Sequence, residues 1–156
     1  MFEVLVYVYE NYWRAEVCPD APQLERRLSA AGFEAGEIHD ALNWLDGLQI
    51  AVAGVAEPQS AEAPASPGAM RIYSQSEQDR LGAAGLGFIS FLESCGVLSP
   101  PLREIVLDRA LAVPDAPVLL DDLKLIVLMV YWGIGREPDA LILDELCDDA
   151  EGRLAH

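Results

Sequence analysis

The chain is short of positive charge. Its 156 residues carry 10 Lys and Arg against 26 Asp and Glu, a net charge of −16, and Lys124 is the single lysine. A phosphate backbone is bound by clustered Lys and Arg, and no segment supplies a cluster. Residues 1–50 hold nine acids and three bases, 51–99 five and two, and 100–156 twelve and five. The field of such a chain opposes nucleic acid and anionic membrane surfaces, and it favours solubility and basic partners. Histidine is scarce, with only His39 and His156. Cys18, Cys95 and Cys147 are too few and too scattered for a disulfide framework or a zinc site, which fits reduced thiols in a cytosol. Residues 1–13 carry acids where a secretion signal carries bases. The longest apolar run, Leu125–Ile134, is about half the length of a bilayer span. The expectation is a soluble, cytoplasmic protein that neither crosses nor coats a membrane.

Catalytic motifs are missing as well. No Gly-x-Ser-x-Gly elbow occurs. Gly82, Gly85 and Gly87 lack the order of a dinucleotide fingerprint and are not followed by Lys-Ser or Lys-Thr. Carboxylates are plentiful, but their spacing puts them on solvated helix faces and at caps, and no Asp-x-Asp-x-Asp-Gly calcium loop is present. The reading is a protein that is not an enzyme, with no catalytic, cofactor or metal residues.

What the chain does have is apolar residues at helical spacing, 52% of it being hydrophobic. Phe2, Leu5, Val6, Tyr9, Tyr12 and Trp13 form one face of a helix over 2–14, with Val4, Tyr7 and Val8 as a second strip. A helix apolar on that much of its circumference is buried on two sides. A second helix runs over 22–31 and stops at Gly32, with Phe33 packing the turn. A third, over 34–48, turns Ile38, Ala41, Leu42, Leu45 and Leu48 inward and Glu37, His39, Asp40 and Asn43 outward, with Trp44 on the border.

Gln49–Ala53 reads as a short strand, residues 54–68 as a mobile Ala/Pro/Ser-rich loop, and Met70–Tyr73 as a returning strand. Ser74 stands three residues before Glu77, a capping-box spacing that starts a fourth helix over 75–97. The glycines at 82, 85 and 87 mark a kink or a close helix crossing within it. Helices over 99–112, 123–132 and 139–150 follow, the sixth almost wholly apolar, hence buried all round, and capped by Asp121 or Asp122.

Three helices followed by a hairpin make the plan of a winged helix. The pattern LERRLSAAGFEAGEIHDALNWLDGLQIAV…MRIYS resembles the second helix, recognition helix and wing of such domains. The expected architecture is mainly α: a winged-helix-like module over 1–74 packed on a helical region over 75–156 that shares its core. A winged helix places base-reading side chains on its third helix. Here those side chains are mostly acids, and the loop over 54–68 has Glu57 and Glu62 and no base. The function expected is therefore a non-enzymatic adaptor or regulator that binds a protein, favourably a basic one, through Glu37, Asp40, Asn43 and Trp44. The alternative is a direct DNA-binding winged-helix regulator. Oligomeric state is left open.

The segments MFEVLVYVYENY, AGFEAGEIHDALNWLDGL, MRIYSQSEQDRL, GFISFLESCGVL and DLKLIVLMVYW together resemble the Smg proteins of Gram-negative bacteria, in consistent order from Met1 to His156. The resemblance implies a bacterial cytoplasmic protein whose relatives' genes often lie near those for DNA processing, hence a link to nucleic-acid metabolism. It implies no site residues.

Overall fold

The computed structural model describes residues 1–12, 20–56, 72–114 and 117–136. Six helices lie among them: α1 (Phe2–Tyr12), α2 (Ala21–Ala31), α3 (Ala35–Ala56), α4 (Gln75–Ser94), α5 (Pro100–Leu111) and α6 (Leu120–Gly133). The mainly α expectation is borne out. The helix expected over 139–150 lies outside the described residues.

The hairpin, and with it the winged-helix module, is not there among the described residues. Gln49–Ala53 continues α3 without interruption to Ala56, so Gly54–Ala56 are helix and not the start of a loop. Ile72, Tyr73 and Ser74 form no strand, and Ile72 is 90% exposed. Residues 57–71, which take in the rest of the expected loop together with Met70 and Arg71, lie outside the described residues. The physical reason is that a short apolar run fits either period. Extending an existing helix adds a hydrogen bond per residue with no nucleation cost, and Ala51 and Ala53 favour helix. Packing also selects the helical period. A Cβ on Gly133 of α6 would stand 3.4 Å from Val52 Cγ2 and 3.5 Å from Leu48 Cδ2, so two residues one helical turn apart meet the same backbone.

The other boundaries follow local chemistry. Gly32 takes φ 99° after α2, and Phe33 N–H donates to Leu28 O (3.3 Å), closing the helix as its glycine stop predicts. The Phe33 ring then meets Tyr7 of α1 edge-on at 5.6 Å. Ser74 Oγ accepts from Glu77 N–H (3.3 Å) while Glu77 Oε2 accepts from Ser74 N–H (2.7 Å), the reciprocal capping box expected from the spacing. Inside α4, Gly82 leaves the helical region at φ 65° and ψ 176°, a kink. Gly85 sits where a Cβ would be 3.4 Å from Leu123 Cδ2 of α6, a close crossing. Ser99 precedes α5 with Pro at its start, as expected, although its side chain makes no cap hydrogen bond. Helix α6 begins at Leu120 with Leu119 in the cap position, so Asp121 and Asp122 occupy its first turn and do not cap it.

Helix α6 is the axis of the core. Every residue from Asp122 to Tyr131 is buried, and α1, α3, α4 and α5 all pack on it. Trp132 Nε1–H reaches Tyr12 O (3.4 Å) at the end of α1. The single lysine is part of this interior: Lys124 is 7% exposed and its Nζ lies 6.0 Å from the Phe88 ring centre.

Candidate partner-binding surface

Helix α3 carries Glu37, Asp40 and Asp46 and no Lys or Arg. Its amphipathic spacing sends Ile38, Ala41, Leu45 and Leu48 into the core and leaves His39, Asp40, Asn43 and Asp46 exposed. Glu37 is half-buried, with Oε1 4.0 Å from the Met1 amino nitrogen. Asn43 Nδ2 lies 3.0 Å from His39 Nε2, one helical turn away. Nε2 accepts from the amide in the tautomer that carries the ring proton on Nδ1. That pairing fixes two polar side chains in one orientation on the outer face, between the acids.

Trp44 is not part of this surface. It is 3% exposed and lies between α3 and α5. Its Nε1–H donates to Arg109 O (2.9 Å), Arg109 Nη1–H donates back to Trp44 O (3.1 Å), and the guanidinium carbon sits 5.9 Å from the ring centre. A helical wheel puts Trp44 on the border of the core face. It does not show that α5 lays an arginine over that border. Of the four expected residues, the structure therefore brings Asp40 and Asn43 together on an open face, leaves Glu37 at its edge, and takes Trp44 out of it.

One group that sequence reasoning missed is Arg80. The kink at Gly82 frees the Arg80 carbonyl from the helix ladder, and Val118 N–H donates to it (2.8 Å). The Arg80 guanidinium donates to Leu111 O (3.3 Å), the carbonyl of the last residue of α5, which has no helical partner, and to Val113 O in the connection just beyond it. Arg80 thus clamps the α5–α6 connection from both its backbone and its side chain. The signal was present only indirectly, in a glycine cluster beside an arginine.

Chemistry of other kinds finds little footing. Among the described residues no three His, Cys, Asp or Glu side chains gather as metal ligands. No buried side-chain nitrogen or oxygen there lacks a hydrogen-bond partner. No helix among them is long and apolar enough to cross a membrane. Cys95 is exposed and unpaired by any disulfide. Cys18, Cys147 and His156 lie outside the described residues.

The whole chain, residues 1–156, matches a family described as "Protein of unknown function (DUF494)". It is 62% identical over 156 residues to "Protein Smg homolog" of Leptothrix cholodnii and 58% identical to that of Methylibium petroleiphilum. It is 53% identical to that of Bordetella avium, and in all three cases the whole of both chains is covered. No solved structure matches. The chain therefore belongs to the DUF494 family, whose relatives carry the name Smg.

Proposed function

We propose that this chain is a cytoplasmic, non-enzymatic adaptor or regulator that binds a basic partner protein through the acidic outer side of α3, with Asp40, Asn43 and Asp46 in contact and Glu37 at the rim. The observation that carries the reading is the exposed, base-free face of α3. Opposed charge accelerates encounter and excludes like-charged partners. The link to nucleic-acid metabolism is the one implied by the resemblance to the Smg proteins. In this reading the chain meets a protein of that machinery and not the nucleic acid itself.

The test is affinity purification of the tagged full chain from its host at physiological salt, with partners identified by mass spectrometry. The same purification is run with an Asp40→Lys/Asp46→Lys variant. The reading expects a basic protein retained by the wild type and lost from the variant. Equal recovery by both, or no partner for either, counts against it. Tight binding of duplex DNA by the wild type, falling steeply with salt, would replace it.

A further inference from the structure

Among the described side chains of α3, Ile50 is the one large apolar group turned to solvent, at 68% exposure. An isolated exposed isoleucine is ordinary on a protein surface. What distinguishes Ile50 is its company. In steps of three and four residues it shares a stripe with Asp46, Asn43 and His39 behind it and with Ala53 and Gly54 ahead, all exposed. At the usual helical rise the stripe from His39 to Gly54 is about 22 Å long, room for several turns of an incoming helix. No Lys or Arg lies on α3, and Arg109, which packs over Gly47, is turned to the Trp44 carbonyl and to Asp108.

We infer that this stripe receives a basic amphipathic helix of the partner protein, an apolar side chain of that helix resting on Ile50 and its Lys or Arg side chains meeting Asp40 and Asp46. The inference rests on the adaptor reading and adds to it the apolar anchor and the kind of segment bound. Charge argues for this occupant over a second copy of the chain, which would bring the same acids against each other. Ile72 before α4 and Phe91 on α4 are exposed singly, and Leu111, Leu119 and Leu120 stand at the two ends of the α5–α6 connection. The three leucines give no such direction, because the acids of α5 are met by its own arginines, Glu104 by Arg103 (3.1 Å) and Asp108 by Arg109 (2.8 Å).

The test uses the isotope-labelled full chain and a fluorescent synthetic Leu/Lys peptide with helical amphipathic spacing. A control peptide keeps every Lys and replaces every Leu by Ser. The expected result is binding of the first peptide at least about tenfold tighter than the control, with amide shifts concentrated on His39–Gly54. Ile50→Ala should weaken binding about tenfold and Ile50→Met should keep it. Asp40→Asn/Asp46→Asn should weaken it and flatten its salt dependence. Circular dichroism establishes that each variant is folded. If Ile50→Ala binds like the wild type while the acid variant loses binding, the inference falls and the acidic-surface reading stands. If neither change matters, both fall. Shifts centred on Leu111–Leu120 or on residues 137–156 overturn the inference. So do concentration-dependent shifts of α3 without peptide, which would assign the stripe to a dimer.

Discussion

Trp44 and Arg109 hold each other across the α3–α5 interface by two hydrogen bonds that run in opposite directions. The indole N–H donates to the Arg109 carbonyl at 2.9 Å and the guanidinium donates to the Trp44 carbonyl at 3.1 Å. The guanidinium reaches that carbonyl over Gly47, where a Cβ would stand 2.2 Å from Arg109 Nη1. Three residues thus form one joint: an aromatic ring, the cation above it, and the glycine that leaves room for the cation.

The joint predicts coupled stability effects. Arg109→Ala should cost about 1–3 kcal/mol, since it removes a charged donor from a part-buried carbonyl. Gly47→Ala forces the guanidinium aside and should cost about 1–2 kcal/mol through the same lost bond. In the Arg109→Ala background the Gly47→Ala cost should largely vanish, because nothing remains to collide with. Urea unfolding of the two single variants and the double variant measures this, and additive costs would refute the coupling.

The kink in α4 predicts intolerance at Gly82. At φ 65° and ψ 176° the backbone lies in a region open essentially only to glycine. Space is not the constraint, for nothing lies within 4 Å of a Cβ there. Gly82→Ala should therefore cost about 1–3 kcal/mol from backbone strain alone, read as a melting point lower by about 2–10 °C. Gly87→Ala, in an open helical position of the same element, should be neutral or slightly stabilising.

Arg80 gives a companion prediction. Arg80→Ala leaves the Leu111 and Val113 carbonyls without their guanidinium donor and should destabilise by about 1–3 kcal/mol. Hydrogen exchange should locate the loss at the end of α5 and the start of α6. Uniform loosening of all helices would argue against a local clamp.

These joints mark where sequence reading stops. The Ser74–Glu77 box, the Gly32 stop and the burial of α6 are local, set by residues within a turn of one another or by an apolar run with no polar face. They were legible for that reason. The glycines of α4 were legible as a kink or a crossing, and both occur, at Gly82 and Gly85. The exposed acids of α3 could be read from its helical period. Trp44 could not, because its burial depends on Arg109, distant in the chain. Gln49–Ala53 was misread because alternating Ile50 and Val52 suit a strand, and only the approach of Gly133 from α6 selects the helix. The same error hid Ile50, which as part of a wing would have had no relation to Asp46.

Tyr131 predicts an alkaline response. Its side chain is buried and its hydroxyl donates to Val97 O. Burial, the larger influence, raises its pKa above the ordinary 10.0, and the Arg136 charge partly offsets this. A folded-state value above the unfolded one means that the neutral phenol contributes stability fully below about pH 10, and that this is lost as pH rises through the folded value. Tyr131→Phe should cost about 1 kcal/mol near neutrality through the lost hydrogen bond, and its stability should then fall less between about pH 8 and about pH 11. Urea midpoints of both chains at these pH values decide it. Parallel declines would show that Tyr131 does not titrate with folding.

The continuity of α3 carries the last prediction. Ala51 lies in the helix between Leu48 and Val52, the two residues that receive Gly133. A proline at 51 would remove one ladder hydrogen bond and press its ring on the carbonyl of residue 47, at a cost of about 3 kcal/mol or more. It would also shift the residues that pack against α6. A sheet-edge segment with its N–H facing solvent would accept the same proline with little loss. Ala51→Pro should therefore lower stability strongly, whereas Ala53→Ser, on the exposed side of the same turn, should change it by less than about 0.5 kcal/mol. Amide exchange in the wild type should show residues 49–54 protected with the rest of α3. A proline tolerated at 51 would argue against an unbroken α3 and detach Ile50 from the acidic face on which the docking inference depends.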